Sequence, residues 1–179
     1  MIFTLCVWEL FVPCMVVYPT LCFYAHMTVY YGFVDGASRH IQNLSSAAWV
    51  IYSPAEELIT SSGIFLGLTT NSVVEYHVAI GLMTKDLSNR ISHMIVHLGS
   101  QLVVSQLNRN YSICDPTFLR IFRRVCILER SFKFIEHCYI PRRCNMIVDS
   151  LANYILDWHL LYLWTIFYRL YILKNTRKK

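Results

Sequence analysis

The chain has 179 residues, enough for one ordinary domain with its own core, and 55% hydrophobic against 15% charged residues excludes intrinsic disorder as the main state. Six glycines and five prolines exclude collagen-like and low-complexity chains, and no fixed-period repeat suggests a solenoid or propeller. The formal charge is +5, and over residues 109–143 eight basic residues stand against three acidic ones, which makes either a phosphate-attracting patch or a solvated helix face.

Residues 10–34 contain no Asp, Glu, Lys or Arg, a run long enough to span a bilayer of about 30 Å. Pro13 and Pro19 interrupt any helix there, and Glu9 stands where a secretory segment would carry a cation. Residues 1–27 therefore read as an apolar leader of undetermined structure, with a membrane anchor as the other reading. Three β-branched and aromatic runs follow, at 28–34, 47–52 and 59–66, the last two separated by the turn residues Ser53-Pro54-Ala55-Glu56. Residues 71–87 place Val74, Val78 and Leu82 on one helical stripe, after the capping candidates Thr69, Thr70 and Asn71. A fourth strand is expected over 94–98 and a short helix over 100–108, beginning immediately after Gly99.

The next helix is the best marked. Asp115 is its N-cap and Pro116 its first residue; Leu119, Phe122, Cys126 and Ile127 form one face, with Arg120, Arg123, Arg124 and Arg130 off it. Residues 132–140 alternate as a fifth strand, ended by Pro141. A last helix runs from about Asn145 through Val148, Leu151, Ala152 and Ile155 into an aromatic stretch, 158–168, with the cations Arg169, Lys174, Arg177, Lys178 and Lys179 after it. That stretch either prolongs the helix or lies on a membrane surface.

The order β-β-β-α-β-α-α-β-α specifies an α/β chain of the α+β type, a mixed five-stranded sheet flanked by helices. Ligands in such sheets gather at strand ends, and there the pattern places Asp35 at the end of the first strand, Glu75 in the first turns of the first helix and Asp149 in the first turns of the last. Clustered carboxylates raise one another's pKa and call for cations, of which magnesium is the natural one. The seven cysteines include no C-x-x-C pair, and Cys138 and Cys144 beside His137 lack the second pair that a zinc site needs. A disulfide framework is therefore not expected, and most of the cysteines read as small buried hydrophobes of a reducing intracellular compartment, cytoplasm or nucleus.

The segments Asp35-Gly36-Ala37-Ser38-Arg39, Thr70-Asn71-Ser72-Val73-Val74-Glu75-Tyr76, Ser100-Gln101-Leu102-Val103-Val104-Ser105-Gln106-Leu107-Asn108, and Ile140-Pro141-Arg142 with Asn145 and Asp149-Ser150-Leu151-Ala152-Asn153, resemble the type 1 ribonuclease H domain. The variant they resemble is the one carried by plant LTR retrotransposon polyproteins. The likeness covers 28–158 in order and spacing, leaving 159–179 as a helical extension with a basic tail.

The resemblance implies a monomeric RNA–DNA hybrid endoribonuclease in which carboxylates hold two Mg2+ or Mn2+ ions, one activating water and one stabilising the leaving oxygen. Asp35, Glu75 and Asp149 match three of those metal-binding, catalytic carboxylates. The fourth position is Gly99, which offers no side-chain oxygen, so the resemblance implies one ion or none here and slow hydrolysis at best. A histidine that assists product release in many members falls at Tyr139. Asn71, Ser72, Ser100, Gln101 and Arg142 match positions that contact the nucleic acid, with Ser72 in place of the usual Asn. The competing readings are a non-catalytic hybrid-binding remnant and a membrane-attached protein.

Overall fold

The computed structural model describes residues 28–39 and 44–176, with side chains as far as Arg169. The reading of the leader 1–27 lies outside the described residues. Five strands, β1 (Tyr30–Arg39), β2 (Leu44–Tyr52), β3 (Leu58–Gly67), β4 (His93–Leu98) and β5 (Phe134–Tyr139), form one sheet in the order β3-β2-β1-β4-β5. The first three are an antiparallel meander, while β4 adds parallel to β1 and β5 parallel to β4. Among the described residues the helices are α1 (Asn71–Ser88), α2 (Gln101–Leu107), α3 (Pro116–Glu129) and α4 (Met146–Thr176), with a 3-10 turn at Arg142–Cys144 that the sequence pattern does not signal.

Alternation along the strands divides the core in two. Val34, Ala47, Trp49, Ile51, Met94, Val96 and Leu98 pack under α1, α2 and α3, whereas Ala37, Ala48 and Val50 pack under Val148, Ala152 and Leu156 of α4. Val74, Val78 and Leu82 are fully buried, as the helical stripe requires. The face of α3 differs from the expected one: Phe118, Ile121, Phe122, Val125 and Leu128 pack inward, and Ile127 is exposed. The inward residues follow the i, i+3, i+4, i+7 helical repeat, opposite the arginines, and Ile127 falls on the arginine side of the helix. Its arginines 120, 123 and 124 are exposed, as expected. Cys114, Cys126 and Cys138 are free thiols, the first of them exposed. Cys144 is disulfide-bonded, where the cysteine spacing led to no such bond being expected.

Close approach of α4 to the sheet depends on Gly63, where an added Cβ would sit 2.2 Å from Ile155 Cδ1 and 2.4 Å from the backbone oxygen of Ala47. The Ile155 tip can turn away; the strand carbonyl cannot. Gly63→Ala is expected to destabilise the fold by about 1–3 kcal/mol, the range for overpacking, read as a lowered midpoint in urea with an unchanged m-value.

Candidate active site

Asp35 is not at the end of its strand. Strand β1 continues to Arg39, because the residues after Asp35 stay paired with β2 as far as Arg39 with Leu44. Asp35 is nonetheless beside the end of β4, whose last residue, Leu98, pairs with Val34. Gly99 follows directly, and an added Cβ there would find Asp35 Oδ1 at 3.8 Å and Asn145 Nδ2 at 3.9 Å, ordinary contact distances in open space.

Two donors hold the Asp35 carboxylate. The Gly36 N–H donates to Oδ1 at 2.8 Å and Asn145 Nδ2 to Oδ2 at 3.2 Å, while the same Nδ2 donates to the Val34 carbonyl at 2.8 Å. Asn145 therefore ties the start of α4 to β1 and orients the acid. Gly36 lets α1 close on the strand, since a Cβ would lie 2.3 Å from Val74 Cγ1. This brings Glu75, the next residue of α1, to the same cavity.

That cavity, about 370 Å³, is lined by Asp35, Glu75, Gly99, Asn71, Arg142 and Asn153 among others. Burial raises the Asp35 pKa, and Asp149 adds to this, while the Gly36 N–H, Arg142 and Asn145 oppose it. Glu75 is pushed up to about 8, by burial first and by Asp35 second. Its Oε2 is buried and has no hydrogen-bond partner. An unpartnered carboxylate oxygen beside a second buried acid is suited to a cation, which would remove the mutual repulsion and the desolvation penalty together.

Asp149 is drawn elsewhere. Arg142 Nη2 donates to its Oδ1 at 2.7 Å, and the guanidinium side is largely exposed. Asp149 thus acts on Asp35 through space, but among the described residues no group of three His, Cys, Asp or Glu side chains converges closely enough to hold a metal ion. The arrangement is two carboxyls in a cavity, a third at its margin and a guanidinium between.

The other expected contact residues separate. Asn71 accepts a hydrogen bond from Ser38 Oγ, and Asn71 and Ser72 line an adjoining cavity with Arg39. Ser100 caps α2 by accepting from the Val103 N–H, and Gln101 is exposed at the start of that helix. Neither lines the carboxylate cavity. His97 stacks on Phe33 at 4.7 Å, and burial lowers its pKa to about 4; it is a neutral packing residue. Asn145 and Asn153 belong to the site although only the motif around them, not a stated role, marked them in the sequence. The signal available was their spacing around Asp149, four residues to either side and so on one helix face.

A family model described as reverse transcriptase-like matches residues 33–155. Ribonuclease HI of Halobacterium salinarum is 28% identical over 127 residues, covering 71% of this chain and 64% of its own length. The bifunctional protein Rv2228c of Mycobacterium tuberculosis is 26% identical over 124 residues, and the match spans 34% of that protein. This chain thus corresponds to under two thirds of the length of either relative. Among solved structures, RNase H1 of Halobacterium salinarum superposes with a TM-score of 0.69 at 28% identity, covering 72% of this chain and 98% of that one. LC11-RNase H1 in complex with an RNA/DNA hybrid gives 0.68 at 25% identity, covering 73% and 99%. With the match running from the strand that carries Asp35 into the helix that carries Asp149, the chain belongs to the reverse transcriptase-like family and has its ribonuclease H-like fold.

Proposed function

We propose that this chain binds RNA–DNA hybrids at the Asp35 cavity and cleaves the RNA strand slowly, because Gly99 stands where a further carboxylate would complete the ion-binding set. The observation that carries this reading is the buried Asp35 and the part-buried Glu75 facing a cavity that Gly99 leaves open. The hybrid in the solved complex of a relative supports the choice of ligand; an origin in a plant LTR retrotransposon is part of the same proposal.

Asp35 and Glu75 would hold a divalent ion, Mg2+ or Mn2+. Such an ion would supply Lewis acidity toward the scissile phosphodiester. The chain's own residues do the rest. Asn145 and the Gly36 N–H fix the Asp35 carboxylate, and Arg142 offers the phosphate backbone an exposed cation at the cavity rim. Asn71 and Ser72 present polar groups along the adjoining cavity, suited to 2′-hydroxyls in a minor groove.

Incubation with a labelled hybrid and Mg2+ or Mn2+ tests the reading. Salt-dependent binding with slow cleavage is the expected result; absence of hybrid binding would overturn it. A non-catalytic hybrid-binding module is the second reading, favoured by Gly99, and it predicts the same binding with no cleavage at all.

Arg142 carries a separate expectation. Arg142→Gln removes one phosphate-facing cation, so the dependence of hybrid affinity on log salt should fall by about 1 in slope. The same change frees Asp149, and Mn2+ titration of the free protein should show tighter binding than in the unaltered chain. A weaker hybrid complex with unchanged Mn2+ affinity would mean that Asp149 does not reach the ion.

A further inference from the structure

Helix α4 continues well beyond the family match. The family match ends at residue 155, whereas the helix runs to Thr176. Its inner face is set by Val148, Ala152 and Leu156, all buried against the sheet. On the opposite side, at spacings of four, seven, ten and fourteen residues, lie Tyr154, Trp158, Leu161, Trp164 and Tyr168. They are 62%, 60%, 66%, 68% and 54% exposed, and Trp164 stacks on Tyr168 with centroids 5.6 Å apart. Tyr162, Ile166 and Phe167 are exposed on the helix's other faces, and an apolar surface of this extent is rarely left facing water.

Charge identifies what covers it. Asp157, the last acid of the chain, is neutralised by Arg39. After it come Arg169, Lys174, Arg177, Lys178 and Lys179 with no acid among them. Trp and Tyr are the residues that settle at the boundary between hydrocarbon and headgroups, and a cluster of Lys and Arg beside them favours an anionic leaflet. No helix among the described residues is long and apolar enough to cross a membrane, and aromatic residues flanked by cations suit binding along its surface. We infer that the α4 extension docks the chain on an anionic lipid bilayer through the Trp158, Leu161 and Trp164 stripe, with the basic tail on the headgroups.

The test is co-sedimentation of the full chain with vesicles of phosphatidylcholine containing about one part in three phosphatidylserine, against phosphatidylcholine alone. Expected is binding to the anionic vesicles at least about tenfold tighter, weakening with salt, and accompanied by a blue shift of tryptophan emission. The Leu161→Glu, Trp164→Glu double variant should lose about tenfold or more of that binding while keeping the far-UV circular dichroism and thermal midpoint, since both side chains are exposed. Vesicle binding that the double variant leaves intact would overturn the proposal. So would a concentration-dependent dimer that the same variant abolishes, which would make a second copy the occupant, or complete release from vesicles by a hybrid duplex with no salt-independent remainder, which would make the tail a nucleic-acid arm.

Discussion

Gly99→Asp is expected to raise hybrid cleavage by about 10²-fold or more, the scale on which loss of one preorganised electrostatic group lowers turnover. The substitution has room: the nearest atoms to the new Cβ are Asp35 Oδ1 at 3.8 Å and Asn145 Nδ2 at 3.9 Å, and both are ordinary contacts. A carboxylate built there would extend into the cavity shared with Glu75, where two acids already hold their pKa values up. Without divalent ions the variant should therefore be less stable than the unaltered chain, because a third like charge enters a buried cluster. With Mg2+ or Mn2+ it should gain more thermal stability than the unaltered chain does, since the ion binds the folded state alone. Paired melting curves with and without the ion, beside hybrid cleavage rates, measure both. A variant with no added ion-dependent stabilisation and no gain in rate would show that Gly99 is not the missing ligand position.

The β-branched runs, their turn residues and the Asp115-Pro116 cap made the element order legible, since each states a local preference that tertiary packing has no reason to overrule. Boundaries failed where pairing continues past the apolar run, as in β1 from Asp35 to Arg39. Asp35, Glu75 and Gly99 could be placed at one cavity from spacing and resemblance; the partner of Asp149 could not. Arg142 reaches it only because a 3-10 turn folds residues 142–144 back toward α4, and nothing in the pattern announces that turn. The position of Asp86 is legible in the sequence. It stands four residues after Leu82 on the buried stripe of α1, a polar residue in the next core position.

That buried acid gives the second large effect. Asp86 is fully buried, neither carboxyl oxygen has a hydrogen-bond partner, and burial pushes its pKa up to about 8. Between the ordinary carboxyl range near pH 4 and this raised value, the folded chain keeps a proton that the unfolded chain has released, so stability is greatest below that window and falls as pH rises through it. Each such group contributes a slope of about 1.4 kcal/mol per pH unit within the window. Glu75, also raised to about 8, acts with the same sign. His97 and His137, both lowered by burial to about 4, act oppositely, since their stabilisation is present above their ordinary value of 6.5 and is lost as pH falls toward 4. Below 6.5 the two pairs offset one another; from 6.5 to 8 only the acids act, and stability should decline steeply. Urea melts across this range should show the fall, and Asp86→Asn should lessen its slope by the contribution of one group, about 1.4 kcal/mol per pH unit. Divalent ions separate the remainder, because they would hold Glu75 ionised in the folded state and leave Asp86 untouched. A stability profile flat from pH 6.5 to 8 would mean that water or a rearranged partner reaches Asp86.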